Sequence, residues 1–376
     1  MWRYRNPVDI RFGAGSLAEL PALVRQRRYA VVTYSEPMFA DVVARCAATA
    51  GAPALVVDDV APNPDCALLA DQAARFRELS SPPDVIVAVG GGSVIDSGKV
   101  FAAAGGDFGR VQRFLETKQG VEQLSATPII AVPTTAGTGS EVTPWATVWD
   151  TQSGQKYSLS RPGLFPEHAL IDPLLMVEKP RGLTVSTGLD ALSHALESLW
   201  NVNSNPVSAS HAVAAAREIL DALPRLVADL RNVALRTRMA KAALFAGLAF
   251  SNTQTAIAHS ISYPFTLHYG VPHGIACSFT LPAVMRSVIG CGGLCEASLR
   301  SIFGDDLHAG ARQLERMIED LGVATQAGGY GVDPDTWAKM IDDAFGGERG
   351  RNFIGSRAQL LAAVRQPSPA SAAAAG

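Results

Sequence analysis

The sequence predicts an α/β N-terminal domain with a doubly wound, mostly parallel sheet, plus an all-α C-terminal domain. Up to about residue 173, short continuous apolar runs such as Val85-Ile86-Val87-Ala88-Val89 alternate with helical stretches. That alternation is the pattern of parallel strands covered on both faces. From roughly Leu183 onward the patterning becomes helical. The run Glu178-Lys179-Pro180-Arg181-Gly182 breaks the first pattern and places the boundary near 182, giving domains over 1–182 and 183–365. The Pro-Ser-Pro-Ala-Ser-Ala-Ala-Ala-Ala-Gly ending reads as a low-complexity tail over 366–376. A chain of 376 residues exceeds the usual size of one hydrophobic core.

In order, Val8 to Gly13 reads as a short strand, Tyr29 to Tyr34 as a buried strand, and Pro37 to Ala50 as the helix after it. Ala54 to Asp58 is the next strand, followed by Pro62-Asn63-Pro64 and a helical stretch from Cys66 to Leu79. Asp84 to Val89 and Pro128 to Val132 are further buried strands, and Ala169 to Pro173 is a last strand and turn. Helices are expected near 184–200, 206–221, 234–250, 252–263, 296–303, 307–321 and 334–345.

Two loops stand at strand ends where open α/β sheets bind ligands. Gly90-Gly91-Gly92-Ser93 runs from a strand into a helix. Glycines there allow positive φ and expose successive N–H groups to a phosphate at the helix's positive end. Tight packing alone would also use them. Pro133-Thr134-Thr135-Ala136-Gly137-Thr138-Gly139-Ser140-Glu141 brings hydroxyls and amides to the end of the neighbouring strand.

The chemistry concentrates between Thr187 and Gly274. Asp190 and His194 are spaced i, i+4 on a helix and share a face, while Leu189, Leu192, Leu196 and Leu199 form a separate apolar stripe. From Ala242 to Met285 there is no Asp, Glu, Lys or Arg, yet His259, His268 and His273 lie there. Such a segment reads as buried, and buried imidazoles need partners. Asp190, His194, His259 and His273 make an Asp-His-His-His donor set without thiolate, suited to Fe²⁺ or Zn²⁺. A polar helix face and satisfied core histidines are the plainer alternatives for each residue taken singly.

Composition narrows the remaining classes. Hydrophobic residues make up 48% and charged residues 18% of the chain, ample for packed interiors. A formal charge of −3 gives no basic footprint for nucleic acid or an anionic membrane, leaving a small molecule as the expected partner. No apolar run approaches the roughly 20 residues that span a bilayer, and Met1-Trp2-Arg3-Tyr4-Arg5-Asn6 has no apolar signal segment after it. A cytoplasmic location is therefore expected. The five cysteines, Cys46, Cys66, Cys277, Cys291 and Cys295, show no paired zinc spacing and read as reduced, ordinary residues.

Over nearly its whole length the chain resembles the iron-containing, or group III, alcohol dehydrogenases. The matching pieces are Asn63-Pro64, Gly-Gly-Gly-Ser with Asp96 and Lys99, Pro-Thr-Thr-Ala-Gly-Thr-Gly-Ser-Glu, Gly188-Leu189-Asp190-Ala191 with His194 and Glu197, His259, and Pro272-His273-Gly274. The resemblance implies a metal-dependent, nicotinamide-linked alcohol dehydrogenase or aldehyde reductase that forms a homodimer or larger homo-oligomer. Its metal ligands would be Asp190, His194, His259 and His273. Gly90, Gly91, Gly92 and Ser93 would hold the pyrophosphate, with Asn63, Asp96, Thr134, Thr135 and Thr138 around the nucleotide.

Two positions depart from the family pattern. Tyr263 stands where a histidine is usual, four residues after His259, so Tyr263 and His268 become the candidates for moving the proton. Tyr34, followed by Ser35 and Glu36, stands where an aspartate often excludes NADP; NAD is expected, with Glu36 on the ribose and NADP open. The run from Ile261 to Gly274 resembles a phosphonate-metabolism branch that includes phosphonoacetaldehyde reductases. A phosphonate dianion needs cationic donors, for which Lys156, Arg161 and Arg286 are the candidates. A general short-chain alcohol dehydrogenase, a glycerol-dehydrogenase-like or dehydroquinate-synthase-like enzyme, and a silent nucleotide-binding protein are the rival readings.

Overall fold

A computed structural model describes residues 1–365, and the tail expected over 366–376 lies outside them. The described residues form two compact units, Pro7–Val177 and a second made of Met1–Asn6 with residues 178–365.

The first unit is built on β1 (Asp9–Phe12), β2 (Tyr29–Val32), β3 (Leu55–Val57), β4 (Val85–Gly90), β5 (Ile129–Pro133), β6 (Trp145–Asp150), β7 (Gln155–Ser160) and β8 (His168–Ile171). Its helices are α1 (Leu20–Val24), α2 (Pro37–Ala50), α3 (Cys66–Ala74), α4 (Gly92–Ala104) and α5 (Phe108–Thr117). Six strands pair in parallel in the order β1-β8-β5-β4-β2-β3. Side chains alternate across a strand, and here both faces are buried. Ile86 and Ala88 enter one core with Ala30, Val32 and Ile129, whereas Val85, Val87 and Val89 enter another with Tyr29, Val31 and Ile130. This is why the strands read as unbroken apolar runs. From β2 the chain steps outward to β3, then crosses back to β4 and continues the other way, so the strand order reverses between β2 and β4. Ligands of doubly wound sheets bind at the carboxyl ends beside such a reversal.

Two features of this unit differ from expectation. The β6–β7 hairpin, antiparallel and separate from the main sheet, was not foreseen. It alternates buried Ala146 and Val148 with less buried neighbours and turns through Gly154, whose φ is +66°. The helix expected to reach Leu79 stops at Ala74, and Arg75–Glu78 tightens into a 3₁₀ turn.

The second unit is helical: α6 (Arg181–Leu199), α7 (Pro206–Ala228), α8 (Val233–Thr253), α9 (Ile257–Tyr269), α10 (His273–Ser278), α11 (Leu281–Val288), α12 (Gly293–Phe303), α13 (Leu307–Asp320), α14 (Pro334–Gly346) and α15 (Arg357–Val364). From Gly188 to Trp200 every residue of α6 and its cap is buried, so the expected polar face of this helix points into packed protein. At Gly188 an added Cβ would lie 2.7 Å from Leu223 Cδ1, which shows how closely α7 crosses α6.

The α8–α9 break falls at Gln254, held at φ +64°, rather than near residue 251. α7 continues through Pro224, and α9 continues through Pro264 to Tyr269 rather than ending at 263. α10, α11 and α15 were not anticipated, being only 6, 8 and 8 residues long. α10 and most of α11 lie in the charge-free stretch, where no polar face marks a helical period.

Candidate metal centre

α6 sets Asp190 and His194 one turn apart, α9 carries His259 as its third residue, and α10 begins at His273. α10 comes close to α6 because it has no side chain at its second position. A Cβ on Gly274 would stand 1.9 Å from the Ser186 carbonyl oxygen and 3.0 Å from Asp190 Cβ. Gly270, in the left-handed region at φ +64°, ends α9, and Pro272, at φ −53° and ψ 135°, then caps α10.

The four residues expected as ligands are thus brought together. His194 Nε2 is 3.7 Å and His259 Nε2 is 3.5 Å from Asp190 Oδ1. The His194 and His259 rings stack at 4.7 Å between centroids, and His273 meets His259 edge-on at 5.5 Å. Phe250 lies flat on the other face of His194, centroids 4.0 Å apart and planes 6° from parallel.

Asp190 Oδ1 and His259 Nε2 are buried atoms that make no hydrogen bond among the described residues, although they face each other. Leaving such groups unsatisfied is costly. A cation resolves it: donors about 2.1 Å from a metal at tetrahedral angles lie roughly 3.4 Å from one another, close to the separations observed. The residues present therefore fit a divalent metal. Burial pushes the Asp190 carboxyl up, but the imidazoles of His194, His259 and His273 outweigh it and hold the acid well below its usual range.

Two residues beside the centre were given no role there from the sequence. Glu197, fully buried on α6, brings Oε2 to 2.5 Å from His259 Nδ1 while Oε1 accepts the backbone N–H of Ala258 at 2.6 Å. Its spacing from His194 was legible, but not that it faces α9. Cys277, read as an ordinary cysteine, is the other. Donor atoms of Asp190, His259, His273 and Cys277 all lie within 4.8 Å of one another, so a thiol stands beside the set expected from the sequence.

Tyr263 follows His259 by one turn on α9 and is half-buried. His268 is not brought to the centre: nine residues from His259 is a half-turn off around the helix axis, and the side chain is exposed in the last turn of α9.

In the first unit the two predicted loops lie against each other. Thr134 N–H donates to the Gly90 carbonyl at 2.9 Å. A Cβ on Gly92 would stand 2.6 Å from Thr138 Cγ2, and one on Gly91 would stand 3.3 Å from Thr135 Oγ1. None of Gly90, Gly91 and Gly92 has positive φ, contrary to expectation; close approach, not a left-handed backbone, requires glycine here. Asn63, itself at φ +57°, donates its N–H to Ser93 Oγ at 3.2 Å, and the Tyr34 hydroxyl also reaches Ser93. The buried Thr134 hydroxyl makes no hydrogen bond among the described residues, an acceptor and donor open to a ligand.

Asp96 is committed within the protein, accepting from Ser140 Oγ at 2.6 Å and from Thr147 N–H at 2.9 Å. Beside it the buried Lys99 ammonium donates to the Ser140 carbonyl, Ser140 Oγ and the Trp145 carbonyl, each at 2.7 Å. Burial brings the Lys99 pKa down to about 8 and pushes Glu141 up to about 7. This network ties α4 to the threonine loop and to the β6–β7 hairpin.

The cations expected for a phosphonate are engaged elsewhere. Arg286 pairs with the buried Glu315 carboxylate, Arg161 donates to the Ser125 carbonyl, and Lys156 lies over the Trp149 ring. In the helical unit Arg349 donates through Nη1 to Thr255 Oγ1, four residues before His259.

Comparison with known proteins follows the same division. Residues 7–173 match the iron-containing alcohol dehydrogenase family, and residues 184–356 match the C-terminal part of the Fe-containing alcohol dehydrogenase family. The chain is 30% identical over 299 residues to long-chain-alcohol dehydrogenase 1 of Geobacillus thermodenitrificans, 77% of this chain and 75% of that one. It is 38% identical over 224 residues to phosphonoacetaldehyde reductase of Streptomyces viridochromogenes, 58% of this chain and 56% of that one. The chain spans about half the length of several curated relatives it matches. Sulfoacetaldehyde reductase from Bifidobacterium kashiwanohense, solved in complex with NAD⁺, superimposes with a TM-score of 0.86 at 29% identity, covering 97% of this chain and 98% of that one. Among the described residues no single helix is long and apolar enough to cross a membrane.

Proposed function

The chain belongs to the iron-containing alcohol dehydrogenase family, and from that membership we propose that it is a metal-dependent, nicotinamide-linked enzyme that interconverts an aldehyde and its alcohol. The observation that carries the reading is the convergence of Asp190, His194, His259 and His273 where the buried Asp190 Oδ1 and His259 Nε2 make no hydrogen bond among the described residues. They would hold one divalent cation, Fe²⁺ or Zn²⁺. When bound, the cation supplies Lewis acidity toward the substrate oxygen, and reduced nicotinamide supplies the hydride.

The protein's own groups do the rest. Asp190 brings the charge that retains a cation among neutral imidazoles, and Glu197 aims His259. Phe250 and the apolar length of α6 keep water from the donors. The Tyr263 hydroxyl, on the His259 face of α9, is our candidate to deliver the proton to the product oxygen, and His268 is withdrawn from that role. In the first unit, Gly90 to Ser93, Asn63 and Thr134, Thr135 and Thr138 would bind the nucleotide, with Asp96 bracing them. NAD is the proposed form, since the Glu36 carboxylate two residues after Tyr34 would repel a 2′-phosphate.

For the substrate we favour a short aldehyde with an anionic tetrahedral head, phosphonoacetaldehyde going to 2-hydroxyethylphosphonate. Two relatives whose names specify a phosphono- and a sulfo-acetaldehyde support this. We assign the head group to Arg349, whose guanidinium sits at the approach to α9 with one donor on Thr255. A homo-oligomer and a cytoplasmic location complete the proposal. The test is oxidation of NADH and NADPH by the purified chain with phosphonoacetaldehyde beside acetaldehyde. Preference for the phosphonate supports the finer reading; equal turnover leaves a general alcohol dehydrogenase, and no turnover of either removes the activity.

A further inference from the structure

Cys277 belongs to none of the roles above, yet it is fully buried, one turn after His273 on α10, with Sγ 3.5 Å from His273 Nε2 and 3.6 Å from Nδ1. Its sulfur falls among the donor atoms of Asp190, His259 and His273, all within 4.8 Å of one another. The unpartnered Asp190 Oδ1 and His259 Nε2, on residues only 3% and 4% exposed, point into the same space. The pocket therefore offers five donors, where a tetrahedral ion takes four.

Resting on the metal centre proposed above, we propose that Cys277 is a sulfur ligand, giving the centre a second donor set, Asp190, His259, His273 and Cys277, that holds zinc. Thiolate favours zinc over the harder Fe²⁺, for which the imidazole and carboxylate set with His194 is the better match. Binding releases the thiol proton to solvent and forms one metal–sulfur bond, with no change of oxidation state. Four protein donors of this kind make a closed shell like that of structural zinc sites, whereas catalytic sites keep one position open. The choice between His194 and Cys277 then decides whether the bound ion can accept a substrate oxygen.

The test uses the full chain, stripped with chelator and reloaded with Co²⁺ alone or Zn²⁺ alone. The expected result is visible d–d absorption from one bound Co²⁺ per chain together with a near-ultraviolet sulfur-to-cobalt charge-transfer band. That band should vanish in Cys277→Ser while the visible bands persist. On the unaltered protein, zinc X-ray absorption should show one sulfur neighbour at about 2.3 Å beside lighter atoms at about 2.0–2.1 Å, which decides the matter even if the variant does not fold. Bound cobalt without the charge-transfer band, a band that survives Cys277→Ser, or a zinc shell of nitrogen and oxygen alone overturns the sulfur ligand and leaves the metal centre standing. Failure to bind either ion overturns both.

Discussion

Glu197 Oε2 lies 2.5 Å from His259 Nδ1, with both side chains buried inside the helical unit. Its other oxygen accepts the N–H of Ala258 at 2.6 Å and that of His259 at 3.3 Å, so one carboxylate caps the start of α9 and fixes the imidazole. A proton shared along the Nδ1 contact leaves Nε2 as the free lone pair, aimed at Asp190. This is the carboxylate–histidine arrangement that orients a metal ligand and raises its basicity.

Glu197→Gln keeps the size and one acceptor but loses the charge. Affinity for a divalent ion, measured by competition with a chromophoric chelator, should fall about 10- to 100-fold. Unchanged affinity would mean that Glu197 serves only to cap the helix.

Gly274→Ala should push α10 off α6, because the new Cβ meets a backbone carbonyl, that of Ser186, which cannot rotate away. Overpacking of this kind costs about 1–3 kcal/mol. Denaturant unfolding should show that loss together with reduced metal retention; a variant as stable and as metal-rich as the parent would show that the close approach does not position His273.

Glu141 is buried with its pKa pushed up to about 7 from an ordinary 4.5. Between these values the folded chain holds a proton the unfolded chain has released, so stability falls as pH rises through that window. At roughly 1.4 kcal/mol per unit, the penalty by pH 8 is on the order of 3 kcal/mol. Glu141→Gln should flatten this slope: measured by unfolding at pH 5 and pH 8, its advantage over the parent should appear only at the higher pH. Parallel pH curves would contradict the assignment.

Arg349→Gln should lower kcat/KM for phosphonoacetaldehyde while leaving acetaldehyde unaffected. A charge-assisted hydrogen bond of about 2 kcal/mol corresponds to roughly 30-fold. Equal losses on both substrates would place Arg349 in the support of Thr255 rather than on the head group.

The sheet was legible because its strands are buried on both faces and carry no polar alternation to obscure them. The same burial hid other things. α10 spans only 6 residues, too few for a period to show, so Cys277 could not be linked to His273 from spacing alone. Glu197 was visible one turn from His194, but its partner is 62 residues away and depends on how α6 and α9 pack. The place of His268 was not legible because α9 was expected to end at 263; carried on to Tyr269, the helix sets that residue half a turn from His259. The glycine loop does join a strand to a helix, but Val94 and Thr138 crowd its backbone without Gly90, Gly91 or Gly92 adopting positive φ.

The central claim is that one cation, gripped by Asp190, His194, His259 and His273, is what makes this chain an oxidoreductase. Metal content by elemental analysis, taken with NADH-dependent aldehyde turnover on the same preparations of the parent and of His259→Ala, tests it most directly. The account predicts one divalent ion per chain in the parent, near-complete loss of that ion in the variant, and a fall in turnover on the order of 1,000-fold, since Lewis-acid stabilisation is worth several kcal/mol. A His259→Ala chain that holds no metal and reduces aldehyde at the parental rate would contradict it.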